Sequence, residues 1–576
     1  MHPLLLLRWA GALLVPALVG CDGAPEPTSP PRAAVPASAE GAIGLTYVCG
    51  TKFLISNRNR FAVEVIWRVG GSDEEGVRRL APVLPDDPGF TETEIETTGD
   101  GTLELHVPGR GLQAHPNEGR PCASVPAASH SVAASSSSGA GEWSAPVALP
   151  IVAVHLHLLP DGKLLFFGHQ PPQLWDLSTN SFTPLPQPHW LYCAGHAFLP
   201  DGRLLVAGGH IKNHYGLPDA KLFSYSTASW SAAPPMARGR WYPTLTSLGT
   251  GGVLALAGRD QTSTTVLIPE VWNGSSWRSL SSASRSLPYY PRAFLAKSGR
   301  VFYAGELQQT YYLSTTGTGS WTYVGDRLYG RRDYGSAVMY EPNKILYAGG
   351  GRTTNTAEVI DLQQAAPAWR WTGSMASARR QHNATVLPDG TVLVTGGTSG
   401  TAINDETRPV HAAELWNPAT GAWTVLASNA VVRVLHSTAL LLPDGRVLVA
   451  GGGENVGATD HLDAEFFSPP YLFNPDGTPA ARPEISSAPA TTYYATRFTV
   501  TTPDPASIAK VAWVRLGSVT HAFDHNQRYV PLAFTRTDTG VEVTPAVRNA
   551  APPGHYMLFL LDSAGVPSVA RIQRVK

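Results

Sequence analysis

Charge and cysteine are both scarce in this chain, and helical patterning is scarcer still. Only 15% of the 576 residues are charged and the formal net charge is -1, which leaves no footprint for nucleic acid or for an acidic surface. Hardly a run with a 3.6-residue apolar period can be found, so a helical protein is excluded. No apolar stretch is long and continuous enough to span a membrane stably; the one at the start, MHPLLLLRWAGALLVPALVGC, is short and interrupted. Four cysteines in such a length cannot make a disulfide-dense scaffold. What the chain has instead is 56 Gly, 49 Pro and 15 Trp, the composition of many short strands joined by tight turns. One core does not suffice at this length, and two to four nearly all-β domains are expected.

The cysteines sort by position. Residues 1–21 read as an export signal, and Leu18-Val19-Gly20-Cys21 resembles a bacterial lipobox. Cys21 is then the lipidated first residue of an exported protein anchored in a membrane and facing the periplasm or cell surface. An ordinary cleaved signal is the alternative, since Arg8 is the one early basic residue. Residues 22–42, rich in Pro, Ala, Ser and Glu, form a flexible tether. Export permits disulfides, and Cys49 and Cys122 bracket alternating stretches such as FAVEVIWRV and GTLELHV. They are expected to staple a small β-sandwich over residues 43–124. Cys193 is the odd one, either a quiet core residue or chemically committed.

Self-comparison reveals the architecture. Seven times an apolar run, a turn, a second apolar run and a glycine recur: LLPDGKLLFFG, FLPDGRLLVAGG, LTSLGTGGVLALAG, AFLAKSGRVFYAG, VMYEPNKILYAGG, VLPDGTVLVTGG and LLLPDGRVLVAGGG. The closing glycines lie roughly 40 to 55 residues apart, the period of a kelch-type blade of four strands. The Asp-Gly pair supplies the positive φ of a tight hairpin, so each copy is the inner hairpin of a blade. A seven-bladed β-propeller is therefore expected over residues 146–478, after a Ser/Ala-rich linker at 125–145, with a strand around Trp143 completing the last blade. Residues 479–576, with runs such as AKVAWVRLG and GHYMLFLLD, read as an immunoglobulin-like sandwich.

In a propeller, residues at one offset in different repeats form a ring around one end of the channel. Cys193 and His436 each lie nine residues before their turn glycine, His382 eight, and Tyr242 nine or ten. A thiol, a phenol and imidazoles gathered at one level suit a copper or iron site. The lone histidines His155, His157, His196, His210 and His461 read as structural groups.

At these residues the chain resembles the galactose oxidase and glyoxal oxidase group of copper radical oxidases, over roughly residues 146–576. The resemblance is carried by LYCAGHAFLPDGRLLVAGGH, ARGRWYPTLT, VVRVLHSTALLLPDGRVLVAGGG, LGSVTHAFDHNQRYVPL and PPGHYMLFLLDSAGVPSVA. It implies a thioether joining Cys193 to the ring of Tyr242, copper held by Tyr242, His436 and His521, and a tyrosyl radical on the crosslinked ring. His521 would arrive from the C-terminal domain. The implied activity is oxidation of a primary alcohol, an aldehyde or a terminal sugar hydroxyl, small molecule or glycan, with dioxygen leaving as hydrogen peroxide; a monomer is expected. Two positions depart from the pattern. Leu435 stands where the group has a second, axial tyrosine that accepts the substrate proton, which leaves hydroxide or His382 as the candidate base. Arg259 and Asp260 fall where galactose oxidases place the tryptophan that stacks on the thioether. The alternative reading is a weakened, copper-binding propeller serving the cell envelope. Arg331 and Arg332 are candidate substrate contacts at the rim.

Overall fold

Because the repeated Gly and Asn turns reverse the chain within a few residues, every copy of the repeat closes as an antiparallel hairpin. In the computed structural model, which describes the strand residues between 43 and 115 and then residues 139–576 apart from 189 and 455–457, these hairpins are the inner halves of seven four-stranded sheets. Blade 2 is representative: Gly195–Phe198 pairs with Leu204–Ala207, then come Ala220–Ser224 and Ser229–Ala233. The turn glycine Gly202 has φ of 90°, and blade 5 uses Asn343 at 74°, the one other common residue type that tolerates this region.

Blade 7 is closed by both ends of the domain. Its outer strand is Glu142–Trp143, with Trp143 opposite Phe467, so the expected strand around Trp143 is present. This pairing ties the start of the propeller to its last blade and leaves the ring no free edge there. Between blades 2 and 7 the sheets are clamped by a repeated buried ion pair. Arg240 meets Glu270 at 2.8 Å, Arg332 meets Glu358 at 2.8 Å, Arg379 meets Glu414 at 2.6 Å and Arg433 meets Glu465 at 3.0 Å. Each guanidinium also donates from a terminal nitrogen to a backbone carbonyl near the channel, which offsets part of the cost of burying the charge.

The C-terminal region forms a seven-stranded, nearly closed sandwich from Thr491–Thr492 to Arg571–Val575. Its core holds Trp513, Tyr556 and the strand Gly554–Asp562. One hairpin leaves the sandwich: Ser518–Thr520 and Phe523–Asp524 enter the propeller channel, and Ser518–Thr520 adds a strand to the inner edge of blade 1, His155 opposite Thr520. The fold is thus all-β, as expected. Between residues 43 and 115 seven strands form a three-stranded and a four-stranded sheet. The Cys49 side chain, Cys122 and Cys21 lie outside the described residues, and so do the staple and the lipid anchor expected of them.

Candidate metal centre

The residue nine positions before each turn glycine or asparagine is Ala153 in blade 1, then Cys193, Tyr242, Tyr290, Tyr334, Gln381 and His436. From blade 2 onward every one has a left-handed backbone, with φ between 43° and 66°. Such a φ on a non-glycine residue costs about 1 kcal/mol or more, and interblade hydrogen bonds hold it in place. Tyr242 N–H donates to the Cys193 carbonyl at 3.0 Å, Tyr290 to Tyr242 at 3.0 Å, and Gln381 to Tyr334 at 2.8 Å. The kink turns each of these positions toward the mouth of the channel, where the inner strand begins. Blade 1 contributes only alanine here, and at that point the hairpin from the sandwich delivers His521, itself left-handed at φ 48°.

Four of the residues expected to form a site come together. The His436 and His521 rings lie 4.5 Å apart, and Tyr242 and His521 are 4.6 Å apart, between ring centroids. Tyr242 Oη stands 3.0 Å from His521 Nε2. Each imidazole is oriented through its other nitrogen: His436 Nδ1 donates to the Gly453 carbonyl at 2.6 Å, and His521 Nδ1 meets Thr520 Oγ1 at 2.6 Å. Both Nε2 lone pairs therefore face the shared space, as in metal sites where the distal hydrogen bond sets the tautomer. The Cys193 thiol has the Tyr242 and Trp241 side chains as its partners. His382 is not in the ring: it sits one residue past the kink, buried against Gly349, and Gln381 holds the blade 6 position. Its offset of eight rather than nine was the sign.

Burial sets the charge state of the site. It pulls His436 down to about 4 and His521 well below its ordinary value, which favours neutral imidazoles, the form a metal requires. It pushes the Tyr242 phenol well up, with Cys193 adding to the effect, and it raises the Cys193 thiol likewise. Burial thus favours the neutral thiol over the nucleophilic thiolate at Cys193. Among the described residues, His, Cys, Asp and Glu side chains form no group of three able to hold a metal. The two imidazoles need phenol oxygen to complete a donor set, and Tyr242 supplies it. Two neutral imidazoles and a phenol oxygen are donor types that suit a copper ion.

Below the site three histidines and a serine form a directed chain. Cys193 N–H donates to His155 Nε2 at 3.2 Å, so His155 Nδ1 donates to His196 Nε2 at 3.1 Å, and His196 Nδ1 donates to Ser518 Oγ at 2.6 Å. Ser518 in turn donates to His157 Nδ1 at 2.9 Å. His196 also stacks on His525 at 4.7 Å. These rings pack the floor under Cys193 and bind the sandwich hairpin to blades 1 and 2, the structural role expected of His155, His157 and His196.

Two further residues were not singled out in the sequence. Trp241 lies flat on Tyr242, ring centroids 3.8 Å apart and planes within 9°, and its Nε1 donates to His210 Nδ1 at 3.2 Å. It provides the stacked indole that Arg259 and Asp260 cannot, and the dipeptide Trp241-Tyr242 was its signal. Tyr192, the neighbour of Cys193, reaches His436 from the other side. Above them a cavity of about 520 Å³ is lined by His169, Trp190, His210, Ile211, Lys212 and Asn213. His169 packs on Tyr192 at 3.8 Å, so the floor of this cavity is the roof of the site. Arg331 and Arg332 do not serve as free rim contacts: Arg332 is fully buried with Glu358, and Arg331 pairs with Glu306 at 2.7 Å.

Comparison with known proteins agrees with this geometry. Residues 482–575 match the galactose oxidase-like, Early set domain, and residues 351–471 match the glyoxal oxidase N-terminus. The galactose oxidase of Gibberella zeae is 31% identical, with 76% of this chain and 71% of that protein covered. An aldehyde oxidase of Vitis pseudoreticulata is 28% identical over 69% of this chain and 84% of its own. A fungal alcohol oxidase of the AA5 family, solved in complex with copper, superposes with a TM-score of 0.70 at 27% identity, covering 76% of this chain and 100% of that one. With a left-handed ring that delivers Cys193, Tyr242 and His436, and a hairpin that delivers His521, this chain belongs to the galactose oxidase and glyoxal oxidase family.

Proposed function

We propose that this protein is an exported copper oxidase that converts a primary alcohol, an aldehyde or a terminal sugar hydroxyl with dioxygen, releasing hydrogen peroxide. The observation that carries the reading is the meeting of Tyr242 Oη with His521 Nε2 at 3.0 Å, beside a thiol and a second imidazole that share no fold necessity. Tyr242, His436 and His521 would hold the copper, and Cys193 would be joined to Tyr242 through sulfur. Copper would accept one of the two electrons that leave the alcohol, and the oxidised, crosslinked ring of Tyr242 would accept the other.

The chain's own residues do the rest. Gly453 and Thr520 fix the two imidazoles so that the ligand nitrogens point inward without reorganisation. Trp241 covers one face of Tyr242 and keeps water from the oxidised ring. The cavity above, with Trp190, His169 and His210 around its wall and Lys212 at its edge, offers aromatic faces and hydrogen-bonding groups to a hydroxylated substrate. Residues 1–21 and Cys21 are proposed to place this chemistry outside the cytoplasm on a lipid anchor.

Metal analysis, intact mass and oxygen uptake on the purified protein test the proposal. Copper near one equivalent, a mass lower by two hydrogens after aerobic copper loading, loss of that change in Cys193→Ser, and uptake with primary alcohols or aldehydes are the expected results. A Cys193 that stays alkylatable after copper loading would falsify the crosslink, and a protein that takes up no copper rules out the function.

A further inference from the structure

The residue just before each ring position forms a second ring, and its members differ sharply in chemistry. In order it holds Val152, Tyr192, Trp241, Tyr289, Asp333, Arg380 and Leu435. Leu435 adjoins His436, is buried at 4% exposure, and has no donor atom. Tyr192 holds the same offset two blades round and is equally buried at 4% exposure. Its ring is edge-on to His436 at 5.6 Å between centroids.

The hydroxyl of Tyr192 lies 3.3 Å from His436 Nε2 and 3.4 Å from Nδ1. Nδ1 is already committed to the Gly453 carbonyl, so the open nitrogen beside Tyr192 is the ligand one. Two donors each about 2 Å from one ion stand ~3 Å apart. Tyr242 Oη and His521 Nε2 have that separation, and Tyr192 Oη with His436 Nε2 is a second such pair. The Tyr192 hydroxyl donates to the Glu454 carbonyl at 3.0 Å, which aims the O–H away and leaves the oxygen lone pairs free. His169 packed on its ring and His155 at its edge keep the phenol from swinging out.

We propose that Tyr192 is the fourth protein ligand of the copper, so that a phenol from blade 2 replaces the donor that Leu435 cannot provide. The inference rests on the copper reading above. It makes the site a two-imidazole, two-phenol set, with both phenols drawn from adjacent blades. It also puts a second phenol oxygen directly beneath His169 and the cavity, where a hydroxyl entering from above meets it first.

The test compares copper(II)-loaded wild type with Tyr192→Phe, Tyr242→Phe, Tyr290→Phe and the Tyr192→Phe/Tyr242→Phe double variant. The readouts are copper affinity against a chelator and phenolate-to-copper charge-transfer absorption. These substitutions delete single hydroxyls, and circular dichroism checks each fold. We expect Tyr192→Phe to weaken copper by about tenfold or more and to remove one part of the charge-transfer band, Tyr242→Phe to remove another, and the double variant to remove all of it. Tyr290→Phe should leave both readouts unchanged, since its hydroxyl donates to the Ala194 carbonyl. An unchanged band and affinity in Tyr192→Phe, or a loss that appears in Tyr290→Phe instead, overturns the assignment while the copper site stands. A wild type that binds no copper overturns the function itself, and this ligand with it.

Discussion

Two arcs of the same ring solve the same backbone problem and reach different chemistry. Gln381 and Tyr334, from blades 6 and 5, carry the left-handed φ of 57° and 52° and the interblade hydrogen bond. Yet Gln381 spends its side chain on the Asn404 amide at 2.9 Å. Cys193, Tyr242 and His436 have the same kink at 62°, 64° and 66°, but the Tyr242 and His436 side chains meet His521 and the Cys193 thiol meets Tyr242. The kink is thus a property of the repeat, needed to close inner strands around a channel, and the site is a choice of side chains on that kink. A propeller can therefore gain or lose this chemistry without changing its fold.

The sharpest way to break the comparison is to exchange function between arcs. Tyr242→Phe should abolish oxygen uptake and the crosslink, whereas Gln381→Ala should keep turnover within about twofold and cost only ~1 kcal/mol for the lost amide contact. Equal losses in both would mean that the ring acts as a structural unit and the donor arc is not special. Next in size is the effect of copper on the sandwich. Because His521 comes from another domain than His436 and Tyr242, copper at about a thousand times its dissociation constant should stabilise the native arrangement by ~4 kcal/mol. Calorimetry of the copper-free and loaded protein measures this, and a C-terminal transition that ignores copper would count against a cross-domain site.

Acid should weaken the donor arc through its floor. Burial holds His157 and His525 near 3, with coulombic repulsion from His525 adding to the shift at His157. The unfolded chain titrates near 6.5 and so takes up protons first as pH falls. The stability of the neutral, buried rings is fully present above that value, and each ring loses ~1.4 kcal/mol per pH unit on the way down to about 3. Urea unfolding of the copper-free protein between pH 7 and 4 should show that slope, and His157→Gln should reduce it.

The seven repeats, the sandwich and the offset of nine were legible because turn chemistry and strand period are local, and a ring position follows from counting. The same counting exposes the error at His382: an offset of eight places a side chain on the other face of a strand, where period two sends it into the blade. Trp241 and Tyr192 were not legible as site residues. Each precedes a ring residue, and only the left-handed kink brings a side chain from that position back over the site. The clamp formed by Arg332 and Glu358 was hidden for another reason, since a long-range pair leaves no local pattern and a loop arginine ordinarily faces solvent.

The smallest effect expected is the most specific to the donor arc. Trp241 stacks on Tyr242 at 3.8 Å with planes 9° apart, while Tyr289 meets both rings edge-on at 86°. An offset aromatic pair is worth about 0.5–1.5 kcal/mol beyond its buried area, so Trp241→Phe, which keeps a ring but loses the Nε1 bond to His210, should lower stability by only ~1 kcal/mol. Copper binding and crosslink formation should survive, because neither uses an indole atom. What should change is the lifetime of the oxidised Tyr242 ring after chemical oxidation of the loaded protein, since a smaller ring covers less of its face and admits water. A faster decay in Trp241→Phe, and a faster one still in Trp241→Leu, would separate shielding from ligation. If both variants decay at the wild-type rate, the edge-on ring of Tyr289 is the group that excludes water, and Tyr289→Leu becomes the change that shortens the lifetime.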